Sequence, residues 1–478
     1  MTDSRPTSRR SVLKGGTAAL ALALGGSRIG RVRADHEHPL LTTAFDSRDR
    51  YGESGDVLDD FEDLDEWTAD SGTLEASTDV VYEGSQSAKL SLSPESSDGS
   101  VEIVREFDGL DLSDRDLSIA IRLVRPEVEQ LTAVVEDDDG DSVTMDRRTI
   151  SPTYGWFRSD LGVSDESGDP DLSEVEEIRL RFDRDVDSPI TAYLDELRTT
   201  ERTEGGRVVL TFDDGGITQY TRALPVLESY DFPALTAVNP GRADEDDYLG
   251  EDEMREMRDE GWEIGSHTFD HERLTDLSDE EAREQVRDAK EWLLDRGFEV
   301  GSSMFVYPWS SNSPRIRDIV SEYHYLAFTD GSIPHGAQLT GPLTTGRIFG
   351  ENLERLESVL DLAEKYGQTA VVSYHEIGAD TGWVSQADFE ETMAGIERRD
   401  LDVIPASEML TELIDPPVEE IRPKSIREAV ARDGGIELAD AQRAVRWNRE
   451  ESYVPQTNGK RLDDETLTAI LDGWEGET

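Results

Sequence analysis

The sequence predicts a multidomain α/β protein in which a (β/α) barrel follows an all-β sandwich and precedes a small helical segment. Three observations point there. The 478 residues are too many for one compact core at roughly 100–200 residues per domain. Residues 57–200 alternate apolar and polar positions strictly. Residues 206–415 switch to short apolar strands interleaved with amphipathic helices.

Residues 1–34 carry Ser8-Arg9-Arg10-Ser11-Val12-Leu13-Lys14, then the apolar run TAALALALGG, then Val32-Arg33-Ala34. This resembles a twin-arginine export signal cleaved after Ala34. It implies an extracellular or cell-surface protein that is not inserted in the membrane once the signal is removed. An uncleaved anchor is the competing reading, but the apolar run is well short of the ~20 residues a spanning helix needs. Residues 35–56 are polar and aperiodic and read as a linker. His36 and His38 there are expected to belong to an exposed, flexible end.

In the sandwich region the apolar faces are Ala88, Leu90 and Leu92, then Leu117, Ile119, Ile121 and Leu123, then Ile178, Leu180 and Phe182. Period two, with Gly, Asp and Ser clusters between the runs, is the pattern of antiparallel strands burying one face. The stretch from DFEDLDEW through GSQSAKLSLS to ITAYLDELR resembles the jelly-roll carbohydrate-binding modules that accompany glycan-active enzymes. Trp67, Tyr82, Tyr154, Trp156 and Phe157 are its candidate sugar-stacking faces, with core packing the alternative for each.

Between 206 and 415 the strands VVLTF, ALTAV, EIGSH, MFVYP, YLAFT, TAVVSYH and LDVIP alternate with helical patterns. Ser278 and Glu281 form a capping box ahead of Ala282, Val286, Ala289 and Leu293, and Gly297 closes that helix. Leu353, Leu356 and Leu360 repeat the period and end at Gly367. Seven or eight βα units imply a barrel whose active site belongs at the C-terminal ends of the strands. Asp415-Pro416-Pro417 breaks the rhythm, and residues 421–474 read as a small helical segment resembling dockerin-like tails. The calcium-loop pattern D-x-[DN]-x-[DN]-G is absent from it.

The chain carries 107 acidic and 48 basic residues, a formal charge of -59, and the acids are spread along its length. Of the basic residues 42 are Arg and 6 Lys, a bias resembling proteins of salt-loving archaea, where concentrated salt screens such self-repulsion. Nucleic acid and anionic membrane surfaces would be repelled by this charge and are not expected as partners. The absence of Cys excludes disulfides, thiolate zinc sites and cysteine nucleophiles. No G-x-S-x-G elbow suggests a serine hydrolase.

Four strand-end clusters carry chemistry. TFDDG (211–215) offers two adjacent carboxylates that cannot face the same way, so one can bind a metal while the other moves protons. SHTFDH (266–271) offers His267 and His271, four apart, able to converge on one ion that Asp214 would complete. Phe305-Val306-Tyr307-Pro308-Trp309 ends a strand in an aromatic loop, and Val371-Val372-Ser373-Tyr374-His375-Glu376 places a single His at another strand end. Each has an ordinary structural explanation when taken alone.

In this order, all at strand ends, they resemble the polysaccharide deacetylase family, whose catalytic unit is the NodB homology domain of the fourth carbohydrate esterase family, a deformed (β/α) barrel. The resemblance covers roughly residues 206–410. It implies Asp213 as catalytic base, Asp214, His267 and His271 as ligands of a divalent metal, zinc first, and His375 as general acid. It also implies Tyr307, Pro308, Trp309, Tyr374 and Arg347 on the substrate side. The Arg that the family commonly has before that Pro is replaced at Val306, so the tether of the base must come from elsewhere, with Arg347 the candidate. Asp330 is the candidate partner of the acid His.

The implied function is a secreted hydrolase acting on an acetylated polysaccharide, on carbon-nitrogen bonds other than peptide bonds or on carboxylic esters. Water activated by the metal attacks the acetyl carbonyl, Asp213 draws off a proton, backbone N–H near Trp309 steadies the oxyanion and His375 protonates the leaving group. Two readings compete: a catalytically impaired glycan-binding or cell-surface protein, and a non-haem iron oxygenase with a two-His, one-carboxylate triad.

Overall fold

In a computed structural model, the structure describes residues 38–44, 54–184, 188–202, 205–331, 334–378, 383–431 and 436–474. The export-signal motif and His36 lie outside the described residues. His38–Thr478 forms one compact unit.

The sandwich is built from β1 (Asp56–Asp59), β2 (Thr68–Ser71), β3 (Thr73–Ser77), β4 (Ser87–Leu92), β5 (Ser100–Leu110), β6 (Arg115–Arg125), β7 (Glu129–Asp137), β8 (Ser142–Ile150), β9 (Phe157–Ser167), β10 (Val175–Asp183) and β11 (Ile190–Glu201). All pairings are antiparallel. The order is β2-β5-β10-β7-β8-β9-β6-β11-β4-β3, with β1 on β11. β9 belongs to both layers: its first half, Phe157–Leu161, pairs with β6, and its second half, from Gly162, pairs with β8. The period-two faces read from the sequence all line the buried core between the layers. Trp67, Tyr154 and Phe157 are buried in that core, and the Trp67 indole N–H donates to Asp59 at 2.7 Å, so none of the three presents a face to sugar. Tyr82 and Trp156 are half-buried, with ring centroids 5.7 Å apart.

The second sheet is parallel and closed. β12 (Gly206–Phe212), β13 (Leu235–Val238), β14 (Glu263–Ser266), β15 (Met304–Val306), β16 (Leu326–Asp330), β17 (Thr345–Phe349) and β18 (Thr369–Tyr374) pair in chain order, and β18 returns to β12. β19 (Leu401–Val403) pairs outside the ring with the first half of β12. α1 (Leu224–Glu228), α2 (Glu251–Asp259), α3 (Asp279–Asp295), α4 (Pro314–Ser321), α5 (Leu353–Tyr366), α6 (Gln386–Glu397) and α7 (Ala406–Thr411) lie between or after these strands. The Ser278 capping box opens α3 and a left-handed Gly367 ends α5.

Strand parity sorts the side chains. On β12, Val208, Leu210 and Phe212 pack outward among residues of α1, α5 and α6, while Val209 and Thr211 turn inward. On β18, Ala370, Val372 and Tyr374 go outward and Val371 inward. On β15, Met304 and Val306 go inward, and Phe305 and Tyr307 outward.

Three boundaries differ from the sequence reading. The segment 38–44 is no exposed linker: Leu40 and Leu41 are buried with Leu274, Phe305 and Ile319, and Thr43 N–H donates to the Glu322 carbonyl at 3.0 Å. Two adjacent leucines in a polar stretch had no period to reveal them. Beyond the Pro-rich break, Val418 and Ile421 still pack in the barrel core. The strand β17 is not among the strands read from the sequence, and the described residues 334–344 ahead of it lie against the sandwich. The approach is close, since a Cβ on Gly162 of β9 would fall 1.6 Å from the Pro334 carbonyl oxygen.

α8 (Ile426–Val430), α9 (Leu438–Arg449) and α10 (Asp464–Trp474) follow, sharing a small core of Val430, Ala444, Val454, Leu462 and Ile470. Buried Glu299 ties this segment down by accepting from the N–H groups of Gln456 (2.5 Å) and Asn458 (2.6 Å), and it also meets His38 at 3.1 Å.

Candidate metal and catalytic site

Parity carries past the strand ends. Asp213 follows β12 and His375 follows β18, both on the inward register, and because the strands are paired neighbours the two residues sit side by side. The Asp213 N–H donates to the Tyr374 carbonyl at 2.9 Å. Gln219, fully buried in the π-helical turn Gln219–Ala223, donates to the carbonyls of both Asp213 (2.6 Å) and His375 (3.2 Å), locking the two loops together.

Asp214, one residue on, turns away from Asp213 with φ 69° and meets the residues after β14. His271 Nε2 lies 3.3 Å and His267 Nε2 3.8 Å from Asp214 Oδ1. One donor atom from each of the three falls within 4.8 Å of the others. Two features make this set fit a metal ion. Asp214 Oδ1 is buried without a hydrogen-bond partner among the described residues. His267 commits Nδ1 to the Val306 carbonyl at 2.8 Å, which leaves Nε2 as the ligand nitrogen. Asp214, His271 (φ 60°) and Trp309 (φ 59°) all adopt left-handed backbone, a strain of on the order of 1–3 kcal/mol each that tends to be retained at functional sites.

Arg347 on β17 holds Asp213 from behind, Nη1 to Oδ1 and Nη2 to Oδ2, both at 2.7 Å, and also reaches Thr211 at 3.2 Å and Asp330 at 3.4 Å. Burial opposes ionisation of Asp213, but the guanidinium outweighs it and the carboxyl is held well below the usual carboxylate range. Burial would likewise depress His375. Glu351, with Oε1 3.9 Å from Nδ1, and Asp213, 3.9 Å from Nε2, reverse that and raise it above the ordinary imidazole value. His271 goes the other way, lowered to about 4 by burial and by neighbouring His267.

The substrate-side expectations need correction. Tyr307 and Tyr374 are fully buried on the outward register, Tyr307 donating to the Leu343 carbonyl at 3.2 Å and Tyr374 packed against Phe212 and Phe389. Arg347 is behind Asp213, at 2% side-chain exposure, and cannot touch a ligand in the mouth. Asp330 faces Arg347; Glu351 is the carboxylate beside His375. Pro308 is buried and stiffens the turn that exposes Trp309, which at 62% exposure stands 5.2 Å from the His271 ring. Glu351, Gln219 and Trp383 escaped the sequence reading. Glu351 could have been found as a carboxylate just past the end of β17. Nothing marked Gln219 or Trp383, whose indole stacks on His375 at 4.2 Å and 12°.

The family model for polysaccharide deacetylases matches residues 200–328. YxkH of Bacillus subtilis, a protein assigned to the polysaccharide deacetylases, is 34% identical over 101 residues, covering 21% of this chain and 36% of that protein. A chitin deacetylase of Colletotrichum lindemuthianum is 36% identical over 90 residues, covering 19% of this chain and 36% of that protein. The chain thus spans about a third of the length of these curated relatives. A solved structure of the deacetylase PplD of Streptococcus pyogenes in complex with acetate aligns at 26% identity and a TM-score of 0.27, over 29% of this chain and 62% of that one.

Proposed function

We propose that the protein, whose residues 200–328 match the polysaccharide deacetylase family, is a secreted hydrolase that removes acetyl groups from a polysaccharide, with a divalent metal held by Asp214, His267 and His271. The observation that carries this reading is the convergence, at one barrel mouth, of the Asp-His-His set, the Arg-clamped Asp213 and His375. Zinc is the first choice for such nitrogen and oxygen donors.

When bound there, the ion would supply Lewis acidity, lowering the pKa of a water and polarising an acetyl carbonyl. The chain's own groups do the rest. Asp213, kept ionised by Arg347, takes the proton of the attacking water as general base. His375, whose protonated form Glu351 and Asp213 favour, gives a proton to the departing nitrogen or oxygen of the sugar. Trp309 and Trp383, 62% and 48% exposed and beside His271 and His375, offer two indole faces to sugar rings. N-acetyl is favoured over O-acetyl, supported by the chitin deacetylase relative.

The impaired glycan-binding alternative drew its force from Val306, where the family Arg is missing. Arg347, from another strand, holds the carboxylate that the missing Arg would have held. Export rests on the twin-arginine motif, and among the described residues no helix is long and apolar enough to cross a membrane. Release of free acetate from a panel of acetylated polysaccharides, by metal-loaded protein in high salt, tests the reading. Acetate from N-acetylated polymers above all is expected; tight sugar binding with no acetate from any polymer would sink it.

A further inference from the structure

The junction of sandwich and barrel bears on the site, given the deacetylase reading above. β16 and β17 deliver Asp330 and Arg347, and the segment between them is held by sandwich side chains. Asp160 Oδ1 accepts from Thr340 Oγ1 (2.6 Å) and Thr340 N (3.1 Å), and Asp116 Oδ2 accepts from Ala337 N at 2.9 Å. His335 bridges the two bodies, with Nδ1 3.3 Å from Asp160 Oδ2 and Nε2 2.8 Å from the Gly346 carbonyl, one residue before Arg347. On the neighbouring strand, fully buried Arg147 of β8 reaches Thr329, one residue before Asp330, at 3.3 Å. On both strands, therefore, the residue preceding the site residue is bonded into a network that the sandwich anchors, and every group in it is buried.

We propose that Asp160, acting through His335, is a positioning residue for the Arg347–Asp213 pair, so that the sandwich is a structural wall of the active site. Rate falls steeply when a catalytic group is displaced by on the order of 0.5–1 Å, and Arg347 needs both of its 2.7 Å bonds to place Asp213.

The test compares wild type, Asp160→Asn, Asp160→Ala and Lys365→Met for acetate release in high salt, with thermal unfolding of each. Lys365→Met cuts the 2.6 Å contact with Glu166 elsewhere in the same junction. Per folded molecule, kcat is expected to fall about tenfold in Asp160→Ala, with KM changed less than about twofold, because groups that act only in the transition state leave substrate binding intact. Asp160→Asn, which keeps its bonds to Thr340, should fall between, and Lys365→Met should match wild type. Nitrogen-15 NMR of labelled arginine adds a readout independent of turnover: the protected Arg347 guanidinium signals, assigned by their loss in Arg347→Lys, should broaden or vanish in Asp160→Ala. The proposal is overturned by wild-type kcat and Arg347 signals in both Asp160 variants, by a loss that only tracks the folded fraction, or by an equal loss in Lys365→Met. If wild type itself releases no acetate, the deacetylase reading fails, and the Arg347 signals still decide the positioning.

Discussion

Asp213 is a buried carboxylate held ionised chiefly by Arg347, which grips both of its oxygens. Replacing it with Asn keeps the shape and removes the base, so Asp213→Asn is expected to lower kcat by about 10²–10⁴. Its metal content, measured by elemental analysis, should stay at the wild-type level; near-normal turnover with metal bound would refute the base assignment. The pH profile follows from the same residues. His375 is raised, so its imidazolium, and any stability it contributes, is fully present below the ordinary imidazole value and lost as pH rises through the higher folded value. Asp213 is lowered, so its contribution is present above the ordinary carboxylate value and lost only as pH falls well below it. His271, at about 4, disfavours its charged form, so the fold loses stability as pH drops from the ordinary imidazole value towards 4. The profile of kcat should therefore keep a basic limb above the usual histidine value, which His375→Gln removes. At this scale the sequence was half legible. Strand-end position and spacing point to Asp213, Asp214, His267, His271 and His375, whereas Tyr307 and Tyr374, which the resemblance places on the substrate side, fall one residue out of register with the inward positions and are carried by the period of two to the outer face.

The elements were legible where periodicity was strong. The alternating faces of β4, β6 and β10, the boxed start of α3 and the glycine end of α5 are all local, so neighbouring residues announced them. What a chain segment packs against is not local. The strand β17, absent from the sequence reading, follows a segment that lies against the sandwich on that side of the ring, and no pattern in the sequence of 334–344 states this. Gly162 gives the contact a measurable consequence. Gly162→Ala would place a methyl 1.6 Å from the Pro334 oxygen, and forced overpacking of this kind costs typically about 1–3 kcal/mol. Denaturant titration should show a lower midpoint, with weakened activity if the shift reaches β17. An unchanged midpoint would mean that the two bodies slide freely at this contact.

For the whole molecule, a charge of -59 sets the working conditions. Self-repulsion at that density destabilises the compact state unless salt screens it, the Debye length falling from about 10 Å at 0.1 M to about 3 Å at 1 M. The unfolding midpoint is expected to climb steadily with added NaCl or KCl, and a flat response in calorimetry would show that composition has no bearing on folding here. The arrangement of β12 has a different bearing. It pairs with β18 along its length, with β19 on its first half and with β13 near its end. Its backbone groups are bonded to partners on both sides, so solvent deuterium would reach its amides only through the largest opening of the barrel. The strand leading into Asp213 is therefore expected among the slowly exchanging segments of the barrel, so that the base is carried by backbone that seldom opens.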